Sequence, residues 1–243
     1  MNAVHLRAIQ YNIGKFNYGD SGGLQTNVPT KINNYNTFLT NQNSDVLFMQ
    51  EFTEYVDANQ QYNSDTAIFD GHFSYKSYVE REMSIKSKYA FANSAFSYLH
   101  TSGDPPAQCV YGNTTINGQS VLLVTAVLNV TSNIEQKLRA LNKLVNIICS
   151  GYTNVLVGMD TNALSKSEAD SMKSYMADNG FQTGNWNKYG YKETYDLTSS
   201  YYHCIDNIFA KGNFEIINFN VPNVYADLSS DHFPVVSDIL LYS

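Results

Sequence analysis

Asp231 and His232, in the run "SSDHFPVV", place a carboxylate beside an imidazole at the mouth of the last apolar stretch. Similar residues close other apolar stretches: Asn12 in "IQYNIG", Glu51 in "LFMQEF", Asp160 and Asn162 in "LVGMDTNA". Asp206 is embedded in one more, "CIDNIF". A charge next to a buried run is costly unless it is paired or metal-bound. One such acid is an ordinary strand-end residue; the repetition along the chain points to a shared site. Carboxylates with an amide suit a hard cation such as Mg²⁺ or Mn²⁺, which takes oxygen ligands and keeps some waters. His232 is the only imidazole in the set, which argues against zinc. Asp160 and Asn162, two apart, would share a face if the strand end stays extended. Asp231 and His232, being successive, would point to opposite faces of a strand and hold separate roles. Asp206 is the candidate to hold the His232 ring in one tautomer, because an imidazole needs a partner on its far nitrogen.

Such a set needs strands to carry it. The apolar patterns predict strands at Val4–Ile13, Asp45–Glu51, His72–Val79, Tyr89–Ser97, Cys109–Thr115, Ser120–Val130, Asn154–Met159, Cys204–Ala210, Phe214–Asn220 and Pro234–Leu241. Asn117-Gly118 is a strong hairpin-turn signal. Helical spacing predicts a helix over Lys31–Asn41, with Ile32, Tyr35 and Leu39 on one face. Ser132 to Glu135 reads as a capping box opening a helix that runs to about Cys149, with Leu138, Leu141, Leu144, Val145 and Ile148 on its apolar face. Ser165 to Glu168 reads as a second box, with Gly180 as the cap at the other end. Asn17–Pro29 and Gly184–Tyr201 read as loops near the site. Many strands and few helices suggest two stacked sheets with helices outside. No repeat, linker or low-complexity tract divides residues 1–243, so a single domain is expected.

Composition narrows the chemistry. Of 243 residues, 43% are hydrophobic and 15% charged, which supports a globular core. The net charge of −7 argues against gripping duplex nucleic acid through a basic face. It still permits an enzyme that holds one phosphate through a cation. Cys109, Cys149 and Cys204 are widely spaced and odd in number, so buried reduced thiols are expected. No apolar stretch reaches the roughly 20 residues needed to span a bilayer. "MNAVHLRAIQYNIG" alternates instead of forming a signal-peptide block.

Taken in order, "IQYNIG", "MQEF", "GMDTNA", "CIDNIF" and "SSDHFPVV" resemble the motifs of the endonuclease/exonuclease/phosphatase superfamily, the deoxyribonuclease-I-like proteins. They span nearly the whole chain. The resemblance implies an α/β fold: a four-layer αββα sandwich, two mixed β-sheets packed face to face with helices outside and the active site at one rim. It implies divalent-metal hydrolysis of a phosphodiester, in nucleic acid or another phosphate ester. By that resemblance Glu51 is the main metal ligand, assisted by Asn12, with Asp231 completing the metal or hydrogen-bond shell. Asp160 orients or deprotonates the attacking water, or holds a second metal. Asn162 binds the phosphate, Asp206 supports His232, and His232 contacts the phosphate or transfers a proton.

The sequence departs from the family pattern in three places. Many members carry a second histidine on the strand before the long helix, where Val127 stands in "LLVTAVLNVTS". A valine donates no proton, and general acid–base help is worth about 10²–10⁴-fold. Either the leaving group needs no acid, or His100 or His203 substitutes, or the chain is a silent relative serving as a binding or structural module of a larger assembly. Cys204 and Asn207 stand where the family has an arginine and a tyrosine, which bears on substrate orientation. Neither an arginine after "DTN" nor a lysine after "QE" is present, so neither the inositol-phosphatase nor the abasic-site branch is favoured. Lys15, Lys31, Lys188 and Lys192 are available to touch a substrate backbone, although solvated lysines are the commoner case.

Overall fold

Two six-stranded sheets packed face to face dominate the computed structural model. It describes residues 2–14, 28–51, 54–57, 60–63, 72–77, 82–186, 192–195, 202, 204–222 and 230–243. The strands are β1 (Ala3–Asn12), β2 (Val46–Gln50), β3 (Glu54–Asp57), β4 (Gln60–Asn63), β5 (Phe73–Ser77), β6 (Met83–Ser87), β7 (Phe91–Tyr98), β8 (Gln108–Ile116) and β9 (Gln119–Val127). They continue as β10 (Asn154–Asp160), β11 (Phe181–Thr183), β12 (Asp206–Lys211), β13 (Phe214–Asn220) and β14 (Val235–Tyr242). The helices are α1 (Val28–Gln42), α2 (Ile134–Lys143), which continues in a π-helical turn over Leu144–Ile148, and α3 (Lys166–Asp178).

The first sheet has the order β13-β14-β1-β2-β6-β5 and the second β11-β12-β10-β9-β8-β7. Each is mixed, since β1/β2 and β9/β10 are parallel and the other pairs antiparallel. β3 and β4 form a separate hairpin. Alternation sorts the side chains into layers. Leu6 and Ala8 of β1, Phe48 of β2, Leu123 of β9 and Leu156 of β10 fill the space between the sheets. On the other face of the first sheet, Ile9, Tyr11 and Met49 pack against Ile32, Tyr35, Phe38 and Leu39 of α1. On the other face of the second, Val155, Val157 and Met159 pack against Leu141 of α2 and Met172 of α3. This is the expected αββα sandwich.

Gly158 shows how close the sheets come. A methyl group there would lie 2.4 Å from Phe48 Cβ, so β10 and β2 meet only because that side chain is missing. The close contact lies two residues before Asp160.

The sequence expectations hold with local shifts. α1 starts at Val28, earlier than expected, because Pro29 sits in the first turn, where a missing N–H goes unnoticed. The box opening α2 is Asn133 with Gln136, not Ser132 with Glu135. The Ser132 amide instead closes a turn onto Asn129. Ser165 caps α3 as expected, but Glu168 does not reach back to the cap. Its carboxylate is taken by Lys137 Nζ at 2.8 Å and Leu164 N at 3.0 Å. Asn117 and Gly118 both have positive φ, 51° and 75°, as a tight hairpin requires. The three cysteines are free and buried. Strands β6 and β11 and the β3–β4 hairpin were not expected; they are short and rich in polar residues. Lys15, Lys188, His203 and most of the two loops expected near the site lie outside the described residues.

Candidate active site

Register brings the polar strand ends to one rim. Asp160 ends β10 opposite Val127 of β9 and Asp206 of β12. Asn12 ends β1 opposite Gln50, and Glu51 follows directly. Ser230 ties the start of the last strand segment to this rim through its Oγ bond to Asn12 O at 2.7 Å. All seven residues singled out in the sequence converge. Asn12, Glu51, Asp160, Asn162, Asp231 and His232 line one cavity of about 290 Å³, and Asp206 lies behind His232, fully buried.

His232 Nδ1 and Asp206 Oδ2 are 2.8 Å apart, as the need for a tautomer-fixing partner suggests. Asp160 accepts three hydrogen bonds. Asn12 Nδ2 donates to its Oδ2 at 3.1 Å, and Asn162 donates through N at 3.0 Å and Nδ2 at 3.0 Å. Thr161 N and Oγ1 both donate to Ile205 O, fastening the turn after β10. Thr194 Oγ1 accepts from the amides of Ile205 and Asp206 and fixes the start of β12.

Two expectations about direction are corrected. Asn162 does not continue an extended strand beside Asp160: its φ is +47°, and the chain curls so that its amide folds back on Asp160. Asp231 and His232 do not face opposite ways: they precede β14 in irregular backbone, where alternation does not apply, and both line the cavity. Glu51 has φ +53°, a left-handed conformation costing a non-glycine residue about 1–3 kcal/mol. Such strain collects where the surrounding structure imposes a side-chain direction.

Burial and crowding of negative charge set the electrostatics. Burial, then Asp206 and Glu51, push the Asp160 carboxyl up to about 7, against the pull of His232 and the Asn12 amide. Burial opposes charging of His232, but Asp206 first, then Asp160 and Asp231, outweigh it and raise the imidazole to about 10. The cavity thus holds more carboxylate than its one imidazole balances, an environment that favours a cation. Among the described residues no three His, Cys, Asp or Glu side chains are gathered to chelate one ion. Mg²⁺ does not need that, since it is often bound through one or two carboxylates and retained waters. Glu51 and Asp231 fit this pattern, with Asn12 Oδ1, which already accepts from Gly14 N at 3.0 Å, beside them.

His100 and three residues in or beside the motifs lie away from the cavity. His100 is bound through Nδ1 to the Ala107 backbone and does not line it. Tyr11 faces α1, stacked on Tyr35 at 5.0 Å. Asn207 Oδ1 accepts from Asn185 N, on the outer side of β12. Val127 is packed in the inter-sheet core.

The sequence reading missed several contributors. The Tyr195 and His232 rings meet in a T-shaped arrangement with centroids 5.0 Å apart, and Tyr202, Val130 and Leu164 also line the cavity. Lys137, fully buried, donates to Asn162 O at 2.6 Å and so holds the Asp160–Asn162 turn from α2. A lysine within an amphipathic helix pattern gives no warning of this. Gln10 and Gln50 stood inside the quoted motifs, where they read as ordinary strand residues.

No protein-family model and no curated protein matches the chain. Solved structures do. An endonuclease/exonuclease/phosphatase family protein from Bacteroides thetaiotaomicron superposes with a TM-score of 0.77 at 14% identity, covering 99% of this chain and 96% of that one. The mannosyl-6-phosphatase of Bacteroides thetaiotaomicron VPI-5482 gives 0.73 at 15% identity, covering 96% and 99%. D. rerio TDP2 complexed with a single-strand DNA product gives 0.70 at 15% identity, covering 97% and 98%. The full-length likeness agrees with the motif resemblance, and the chain has the deoxyribonuclease-I-like fold of the endonuclease/exonuclease/phosphatase superfamily.

Proposed function

We propose that the protein is a divalent-metal-dependent phosphodiester hydrolase, nuclease-like in its chemistry. The observation carrying this reading is the convergence of Asn12, Glu51, Asp160, Asn162, Asp231 and His232 on one cavity, with Asp206 bonded behind the imidazole. Glu51, with Asn12 and Asp231, would hold Mg²⁺ or Mn²⁺, which supplies charge to a phosphoryl oxygen and lowers the barrier to attack.

The chain's own residues have distinct tasks. Asp160, held by Asn12 and Asn162, accepts the proton of the attacking water; a carboxyl raised toward neutrality is the better base. His232, with Nδ1 engaged by Asp206, offers Nε2 to the phosphate. Asn162 Nδ2 spends its two donors on Leu128 O and Asp160, so binding phosphate requires it to exchange one of them. The nuclease-like preference takes support from the neighbour bound to DNA product, while the mannosyl-6-phosphatase extends the range to other phosphate esters.

A metal-dependent screen over plasmid, RNA, phospholipid and bis-p-nitrophenyl phosphate tests this. We expect Mg²⁺- or Mn²⁺-dependent cleavage of the activated ester, abolished in His232→Ala and Asp160→Ala. Equal traces in wild type and variants would remove the hydrolase reading.

Val127 favours a second reading, a weakened or silent module. The valine pairs with Asp160 and is 1% exposed, so no acid stands at that point of the rim. Cleavage of the activated ester without cleavage of plasmid would locate the defect there, because a nitrophenolate leaves without protonation.

A further inference from the structure

Behind Asp206 a line of buried amides continues across both sheets. Gln10 Nε2 donates to Asp206 Oδ1 at 3.0 Å and to Gln50 Oε1 at 2.7 Å. Gln50 Nε2 donates back to Gln10 Oε1 at 2.7 Å and onward to Thr125 Oγ1. Gln10, Gln50, Thr125 and Asp206 are all 0% exposed. The line runs from β9 in the second sheet, through β2 and β1 in the first, to β12 in the second.

An amide group carries two N–H donors, and each glutamine uses both. Flipping the Gln10 amide would turn its oxygen toward the Asp206 carboxylate, so the orientation has one solution. A buried neutral hydrogen bond adds little net stability, because folding exchanges it for bonds to water. Two apolar side chains would fill the same space between the sheets, so stability alone does not call for a glutamine pair here. What the pair adds is direction. With Oδ1 held by Gln10, the Asp206 carboxylate cannot rotate, and Oδ2 is left aimed at His232 Nδ1.

We propose that Gln10 is a positioning residue for the Asp206–His232 pair, itself held by Gln50 and Thr125. Its catalytic consequence rests on the hydrolase reading; its effect on the imidazole does not. The link fixes which ring nitrogen carries its proton toward Asp206 and which faces the cavity.

Proton–nitrogen NMR of the metal-free protein reads the link without turnover. Wild type should show a downfield, exchange-protected imidazole Nδ1–H signal that disappears in His232→Gln. Gln10→Met should lose the signal while near-UV circular dichroism remains that of folded protein. In turnover, Gln10→Met should lower kcat about 10–100-fold with little change in KM, as loss of a partner behind an active group does. Should Gln10→Met fail to fold, the isosteric Thr125→Val reads the same line from its far end, with a broadened signal and lower kcat. An unchanged signal in whichever variant folds overturns the proposal and leaves the amides a structural role. If wild type cuts no ester at all, the hydrolase reading fails, while the NMR comparison still decides whether Gln10 positions the ring.

Discussion

The two ends of the sandwich are both polar, and they treat polarity differently. At the end opposite the cavity, Gln119 Oε1 accepts from Asn154 Nδ2 and Asn213 Nδ2, and Gln119 Nε2 donates to Tyr242 O. Asn154 Oδ1 accepts from Asn213 N. Neutral groups there satisfy one another, and left-handed backbone falls on the turn residues Asn117, Gly118 and Gly212, at φ +51°, +75° and +96°. At the cavity end, carboxylates crowd around one imidazole, and Glu51 and Asn162 take left-handed backbone. One rim closes strands. The other gathers carboxylates that burial alone disfavours, an arrangement that clusters at functional sites.

The largest test of this contrast is catalytic. His232→Ala or Asp160→Ala should each cost at least about 10²–10⁴-fold in hydrolysis of an activated diester. Gln119→Ala, at the other rim, should leave the rate alone and lower stability by about 1–3 kcal/mol, measured by urea unfolding. A rate loss in Gln119→Ala would erase the distinction between the rims.

Glu51→Gly should separate function from stability in one residue. Glycine adopts the +53° φ without penalty, so the metal-free variant should unfold at higher denaturant, by about 1 kcal/mol. Mg²⁺ or Mn²⁺ should raise the Tm of wild type, and that rise should vanish in the variant. Calorimetric titration of metal into both proteins checks the binding half; equal heats would end Glu51's claim as ligand.

The smallest effect compares two acids. Asp238 is buried but bonded to Arg7 Nε at 2.8 Å and Asn218 Nδ2 at 3.1 Å, which overcome burial and hold its carboxyl below the ordinary value. A lowered carboxyl stabilises the fold above its unfolded pKa, and that contribution is lost as pH falls through the folded value. Asp238→Asn should therefore cost on the order of 1 kcal/mol at neutral pH and progressively less in acid. Asp160 has the opposite sign: its raised carboxyl makes the metal-free fold less stable as pH climbs from about 4 to about 7. Chelated wild type, melted across that range beside Asp160→Ala, should gain stability relative to the variant toward the acid end. Parallel curves would mean that Asp160 is not under the pressure described.

Much of this was legible in the residues. Apolar runs gave most strands within a residue or two at each end, because burial on both faces of a sheet leaves such runs. Short strands such as β6, "MSIKS", were not legible: Lys86 is 3% exposed there, and polar residues in a buried strand look like a loop. The site's members were legible because a charge beside an apolar run needs a reason. Their supports were not. Lys137 and Gln10 reach the site through contacts some 25 and 196 residues away in sequence, and nothing local marks such partners.

By itself the sequence determined the residue types, the order of the motifs and the alternation that builds two sheets. Those follow from local rules: side-chain period, turn chemistry and the cost of burying charge. Only the tertiary structure decided that Asp160, Asp206 and His232 meet, that Asn162 curls back instead of running on, and that Asp231 and His232 face the same way. Strand register and sheet stacking fix those relations, and both arise from packing between segments far apart in the chain.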